Sequence, residues 1–229
     1  MTDKVKVVTP VGELHWCNIS GTGKKNYNED GFVYTATIFL KGEAAEELQA
    51  KIDAVLGDVP KNKKIKSKGY RDVYKNPEGK YFVETGNREA TEEDTPTDLV
   101  AFQFTTNTTL PDGRQSKIDV YNSGRKTEAN PSGRPKKIDL DNRGIGNGSL
   151  GAISGVLKKN DTAKDVSISL FLKAIQLTKY IEFSGDAGFD SQEDGEFDGV
   201  DSDGTEEFSS PEKDEDKAEP KKVKARPKI

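Results

Sequence analysis

Cations and flat rings recur side by side along this chain. Lys24, Lys25 and Tyr27 fall in one short stretch. Lys66, Tyr70, Arg71 and Tyr74 fall in a second, together with Lys68 and Lys75, and Lys117 and Tyr121 form a third pairing. Binding a single nucleic-acid strand without sequence preference needs both residue types, because cations track the phosphates and rings stack the bases. Stacking supplies ~1–3 kcal/mol per base and tolerates any base. Trp16 is the one tryptophan and a further candidate platform, with burial in a core as its ordinary alternative. Arg143 is a further candidate phosphate contact. Singly, each tyrosine reads as well as edge-of-core packing and each lysine as a solubilising charge. Three pairings on one net-positive segment tip the reading towards binding.

Other chemistries fail on residue type or spacing. One cysteine, Cys17, and one histidine, His15, rule out an intrachain disulfide and a four-ligand zinc site. As a nucleophile and base the two are poorly arranged, since such pairs usually come from separate elements; an ordinary strand explains them. Gly23 and Lys24 suggest a phosphate-binding loop, but Asn18 stands where its first glycine belongs and Lys25 where Ser or Thr belongs. Gly144, Gly146 and Gly148 precede no helical pattern, so they read as a close-packed lead into a strand rather than a dinucleotide fingerprint. Asp201, Asp203 and Gly204 imitate part of a calcium loop, but Gly199 and Ser210 fall where its end ligands belong. Glu92, Glu93 and Asp94 sit in a polar loop without metal-ligand spacing. The sequence therefore predicts no catalytic residue, no metal and no cofactor.

Charge divides the chain. Residues 1–185 carry 28 bases and 25 acids, a net of +3. Residues 186–219 carry 15 acids and two bases, a net of −13, and 220–229 hold five bases and no acid. The acidic stretch has few apolar residues, mainly Phe189, Phe197, Val200 and Phe208, too widely spaced to bury a face. Such a composition cannot offset chain entropy. The expected organisation is a folded domain over 1–185 and a disordered acidic tail with a basic end over 186–229. No run approaches a membrane span and the N-terminus lacks an apolar signal core, so a cytoplasmic chain is expected.

The segment 1–185 reads as strands with one helix. Gly12 to Ile19 is a first strand. Phe32 to Leu40 is β-branched and aromatic, with Phe32, Tyr34, Ala36, Ile38 and Leu40 on one face. Ala45, Leu48, Ile52, Val55 and Leu56 place a helix over Glu43 to Leu56, stopped by Gly57. Leu99 to Thr106 and Lys117 to Tyr121 are strands around a turn at Pro111, Asp112 and Gly113. In the second of these, Ile118 and Val120 point inward. Ser149 to Leu157 is a Gly-laced strand. Val166, Ile168, Leu170 and Leu172 mark a last strand continuing towards Phe183. Short strands at this spacing, with no βαβ alternation, predict an all-β fold closed as a small OB-like barrel of five or slightly more strands.

This layout resembles the single-stranded DNA-binding proteins of tailed phages, an OB-fold followed by an acidic C-terminal tail. The residues that carry the resemblance are Phe102-Gln103-Phe104, the turn at Asp112-Gly113, Ile118 to Tyr121, and Ile145 to Ser149 before the strand from Val166. A helix between the second and third core strands fits as well. The resemblance implies a protein that coats exposed single strands in replication, recombination and repair. It also implies contacts from the tail to phage or host DNA polymerase or helicase. Members of such a family can be homodimers. Related tails end in an aromatic residue, whereas this chain ends in a basic block and Ile229. An RNA-binding OB module and an acidic-tail chaperone for basic proteins are the alternative readings, and a nucleic-acid titration separates them.

Overall fold

A computed structural model describes residues 4–26, 31–85, 88–124, 126, 131–140 and 143–183. The expected tail over 186–229 and the candidate Tyr27 lie outside the described residues. The elements in chain order are β1 (Lys4–Val8), β2 (Gly12–Asn18), β3 (Lys24–Lys25), β4 (Phe32–Lys41), α1 (Gly42–Leu56), β5 (Lys64–Ser67), β6 (Tyr70–Lys75), β7 (Tyr81–Val83), β8 (Thr95–Asn107), β9 (Asp119–Tyr121), β10 (Lys137–Ile138), β11 (Ser149–Asp161) and β12 (Asp165–Lys179).

Five of these strands close a ring. β2 pairs antiparallel with β4, and β4 with β8. β8 meets β12 in parallel at Phe171 and Thr105, β12 pairs antiparallel with β11, and β11 returns to β2. This is the strand order of an OB-type barrel, and it removes the sheet edges that an open five-stranded sheet would expose. The remaining strands attach outside the ring. The hairpin β6–β7 extends the sheet beyond β8, β5 lines the start of β12, β9 lines its later half, and β1 pairs with β11.

Period-two alternation fills the barrel. Tyr34, Ala36, Ile38 and Leu40 from β4 meet Phe102 and Phe104 from β8 inside it. Phe32 continues the alternation but lies beyond the end of the barrel and is 45% exposed, so its expected place in the core is corrected. On β12 the buried set runs Val166, Ile168, Leu170, Leu172 and then shifts phase to Ile175 and Leu177. The shift falls where a bulge sets Leu172 opposite Gly155 and Ala174 opposite Ser154. A side chain at Gly155 would lie 2.6 Å from the Phe171 carbonyl oxygen and 2.7 Å from the Phe104 ring, so close packing of two strands on that ring requires glycine here.

The helix follows the predicted pattern. Ala45, Leu48, Ile52 and Leu56 are buried, and α1 ends at Gly57, whose φ of 58 suits glycine. It packs across one end of the barrel as part of the same core. Ile118 and Val120 are buried as expected, and Gly113 makes the expected turn with its N–H donating to the Leu110 carbonyl at 2.9 Å.

Candidate nucleic-acid interface

Both faces of β4 are covered. Its even positions face the barrel interior, while Thr35, Thr37 and Phe39 face out and are nevertheless buried. Around Phe39 lies an aromatic cluster drawn from two strands, β2 and β7. His15 of β2 stacks on Phe39, with ring centroids 4.1 Å apart and an interplanar angle of 18°. Tyr81 of β7 meets Phe39 edge-on at 5.6 Å and His15 at 5.6 Å. Trp16 meets Phe39 edge-on at 5.3 Å and remains 37% exposed. The Lys75 ammonium lies over the Tyr81 ring at 4.7 Å. The outer face of the sheet thus carries rings supported from beneath by Phe39, with cations at their margin.

Register fixes what else shares this face. Ala101 lies opposite Phe39 and Arg71 opposite Ala101, so Arg71 stands on the cluster side, where its guanidinium donates to the Glu84 carbonyl at 3.2 Å. Lys24 lies opposite Val33, on the same side as Thr35 and Thr37, whereas Lys25 lies opposite Phe32 and so points to the other side; both lysines are exposed. Trp16 sits between these ends, where a bulge interrupts the pairing of β2 and β4 between His15 and Asn18. From Val33 to Phe39 the face runs about 20 Å at the usual rise of a strand.

The other sequence candidates occupy different ground. Tyr70 turns inward and packs on Phe102 at 5.9 Å. Tyr74 stacks on Phe82 at 5.6 Å, and the charges of Glu84 and, more weakly, Asp72, together with desolvation, raise its pKa. Lys66 is exposed on β5 beside the first residues of β12, whereas Tyr121 on β9 pairs near Gln176. About nine strand residues separate these points, roughly 30 Å. Lys117 precedes β9 and is exposed. Lys137 forms an ion pair with Asp119 at 2.5 Å, which raises the lysine pKa. Arg143 faces Glu182 at 3.9 Å and donates to the Leu140 carbonyl at 3.2 Å. The structure therefore gathers Trp16, Lys24 and Arg71 along one face and leaves Lys25, Lys66, Lys117, Tyr121 and Arg143 off it. His15, Phe39 and Tyr81 are members that sequence reasoning missed. The available signal was Phe39 itself, a large ring at the odd, solvent-side register of a strand.

Burial decides the chemistry of the cysteine and histidine. The Cys17 thiol is pushed up to about 12 by burial, so it carries no thiolate near neutral pH. His15 Nε2 pairs with Glu13 Oε2 at 3.3 Å, not with the thiol. Burial lowers the His15 pKa more than Glu13 raises it. Among the described residues no group of three or more His, Cys, Asp or Glu is placed to hold a metal ion. Because the folded-state His15 pKa lies below its ordinary 6.5, neutral His15 contributes stability above that value, and the contribution is lost as pH falls through the depressed pKa. His15→Phe keeps a ring on Phe39 and removes the titration. The melting temperature of the natural chain should therefore fall relative to His15→Phe as pH drops from 7 to 5. A difference that stays constant with pH would show that His15 is not so perturbed.

The geometry defines an OB-type barrel whose outer face, over β2, β4 and β8 and extended by the β6–β7 hairpin, carries rings and cations. Comparison with known proteins finds the same fold. No family model and no curated protein sequence matches the chain. Its structure is similar to that of gp2.5, a single-stranded DNA-binding protein encoded by bacteriophage T7, with a TM-score of 0.51 and 14% identity over 86% of this chain and 99% of that one. A weaker likeness, with a TM-score of 0.40 and 11% identity over 83% of this chain and 88% of the other, is to a single-stranded DNA-binding protein from bacteriophage Enc34. At this identity the likeness to gp2.5 establishes the OB-fold expected from the sequence.

Proposed function

We propose that this chain coats single-stranded DNA without sequence specificity in phage DNA replication, recombination or repair. The observation that carries the reading is the outer face of the barrel, where Trp16 and Tyr81 are backed by Phe39 and bordered by Lys24, Arg71 and Lys75. Strands of an OB barrel supply a rigid floor, the rings take bases of any identity, and the cations track the backbone. The function named for gp2.5, whose fold this chain shares, supports the same reading. In this proposal 186–219 modulates access of DNA to the basic face and recruits polymerase or helicase partners.

The test is a titration of the full chain with a labelled oligothymidylate, a duplex of equal length and an oligoribonucleotide, over a range of salt. The single DNA strand should bind tightest. If the three cations of the face, Lys24, Arg71 and Lys75, each neutralise one phosphate, log K should fall against log salt with a slope of about −2, from roughly −0.7 per contact. Equal or tighter binding of the ribonucleotide would move the assignment to an RNA-binding OB module. Failure to bind any strand, with capture of basic proteins, would move it to an acidic chaperone.

A further inference from the structure

Trp16 is, among the described residues, the only non-glycine with a positive φ, at 50. For a bulky side chain this left-handed conformation is disfavoured, and it persists only where the surroundings over-determine it. Here two side chains do so. The Trp16 N–H donates to Asn147 Oδ1 at 2.9 Å, and Thr35 Oγ1 donates to the Trp16 carbonyl at 3.4 Å. Asn147 reaches across 131 positions of sequence to make the first of these. Its own turn is clamped on both flanks. The Gly148 N–H donates to the Leu14 carbonyl at 3.0 Å and the Gly146 N–H to the Ile181 carbonyl at 2.8 Å, while Ser149 Oγ donates to the Gly146 carbonyl at 2.8 Å. Gly148 has φ +84, and a side chain at Gly146 would lie 2.7 Å from the Glu182 carbonyl oxygen. Glycines on both sides thus let the turn come close enough to present Asn147 to β2.

We infer that Asn147 is a positioning residue for strand binding, holding the backbone of Trp16 in its left-handed conformation so that the indole stands ready at the centre of the binding face. The inference rests on the proposed role of Trp16 as a stacking platform. Asn147 touches no base. It acts by fixing beforehand a ring that would otherwise lose conformational freedom on binding, and such preorganisation appears as affinity. With the N–H released, β2 is free to relax towards an ordinary extended geometry, which carries the indole off the position that Phe39 supports.

Because Trp16 is the sole tryptophan, its fluorescence reports on the inference directly. Asn147→Ala should change the emission of the free protein, raise its quenching by iodide, and weaken binding of an oligothymidylate about threefold to tenfold, the scale of one hydrogen bond. In a Trp16→Ala background, Asn147→Ala should cost no further affinity. Asn147→Asp keeps an oxygen acceptor for the Trp16 N–H, so it should restore the emission, and restore affinity once salt screens its added charge. It also serves if the alanine variant does not fold. Unchanged emission and affinity in Asn147→Ala, alongside weakened binding in Trp16→Ala, would overturn this inference alone. A further loss on Asn147→Ala in the Trp16→Ala background would do the same. Binding by Trp16→Ala as tight as that of the natural chain would overturn both the inference and the reading of the face on which it rests.

Discussion

Replacing Trp16 and Tyr81 together by alanine should weaken oligothymidylate binding roughly 30-fold to 1,000-fold, from about 2–4 kcal/mol of lost stacking. The lower bound reflects one base per ring at the weak end of stacking. The upper bound falls short of the sum of two strong contacts because both rings rest on Phe39 and His15, and residues that share partners do not act independently. The pair has a signature that separates stacking from electrostatics. Neither ring carries charge, so the salt slope of the double variant should stay that of the natural chain while the whole line drops. Arg71→Ala and Lys24→Ala should behave in the opposite way, each losing less affinity and flattening the slope by ~0.7. The barrel should tolerate the ring changes, since its interior is built from Leu14, Ile38, Phe102, Phe104 and their neighbours rather than from the outer cluster. Fluorescence anisotropy of the labelled strand gives both quantities from one data set. Undiminished affinity in a folded double variant would remove the face from consideration as the DNA site.

The same residues show what the sequence does and does not disclose. The barrel was legible because a strand buried on one face writes its environment as period-two alternation. Tyr34 to Leu40 and Val166 to Leu172 are such runs. Alternation does not say where a barrel ends or where a bulge changes its phase, which is why Phe32 was expected inside and the shift to Ile175 went unseen. The strands at 64–83 were hidden for a related reason. Read along the chain, Tyr70, Arg71 and Tyr74 are one basic-aromatic patch, yet pleating sends Tyr70 to the core and Arg71 to the outer face. The binding face was only half legible. Trp16 stands out because it is unique, and Lys24 through its basic neighbour Lys25, although pleating sends those two to opposite faces. The grouping of His15, Phe39 and Tyr81 comes from three strands up to 66 positions apart, and only β2–β4–β8–β6–β7 pairing makes them neighbours. Asn147 is the extreme case. In the sequence it is an unremarkable turn residue between glycines, and its role follows wholly from the bulge it meets on β2.

Deleting 186–229 should tighten oligothymidylate binding about tenfold at roughly 20–50 mM salt, with the gain shrinking towards 200 mM as exposed charges are screened. The expectation follows from charge and tethering. The deleted segment carries −13 over 186–219. That segment is joined covalently to the domain, so its charges act as a tethered competitor rather than a free one. Such tethering gives an effective concentration on the order of millimolar, and in the proposed function these carboxylates compete with DNA phosphates for Lys24, Arg71 and Lys75. The basic end supplies the decisive contrast. Removing only 220–229 takes away Lys221, Lys222, Lys224, Arg226 and Lys228 and leaves the acids unopposed. That shorter deletion should weaken DNA binding, whether those bases now neutralise the acids or touch DNA themselves. The two truncations therefore move affinity in opposite directions from one starting chain, an outcome that loss of bulk or a general change in solubility would not produce. A full deletion that binds equally or more weakly at low salt would remove charge competition from the proposed function and leave the acidic segment to partner recruitment alone.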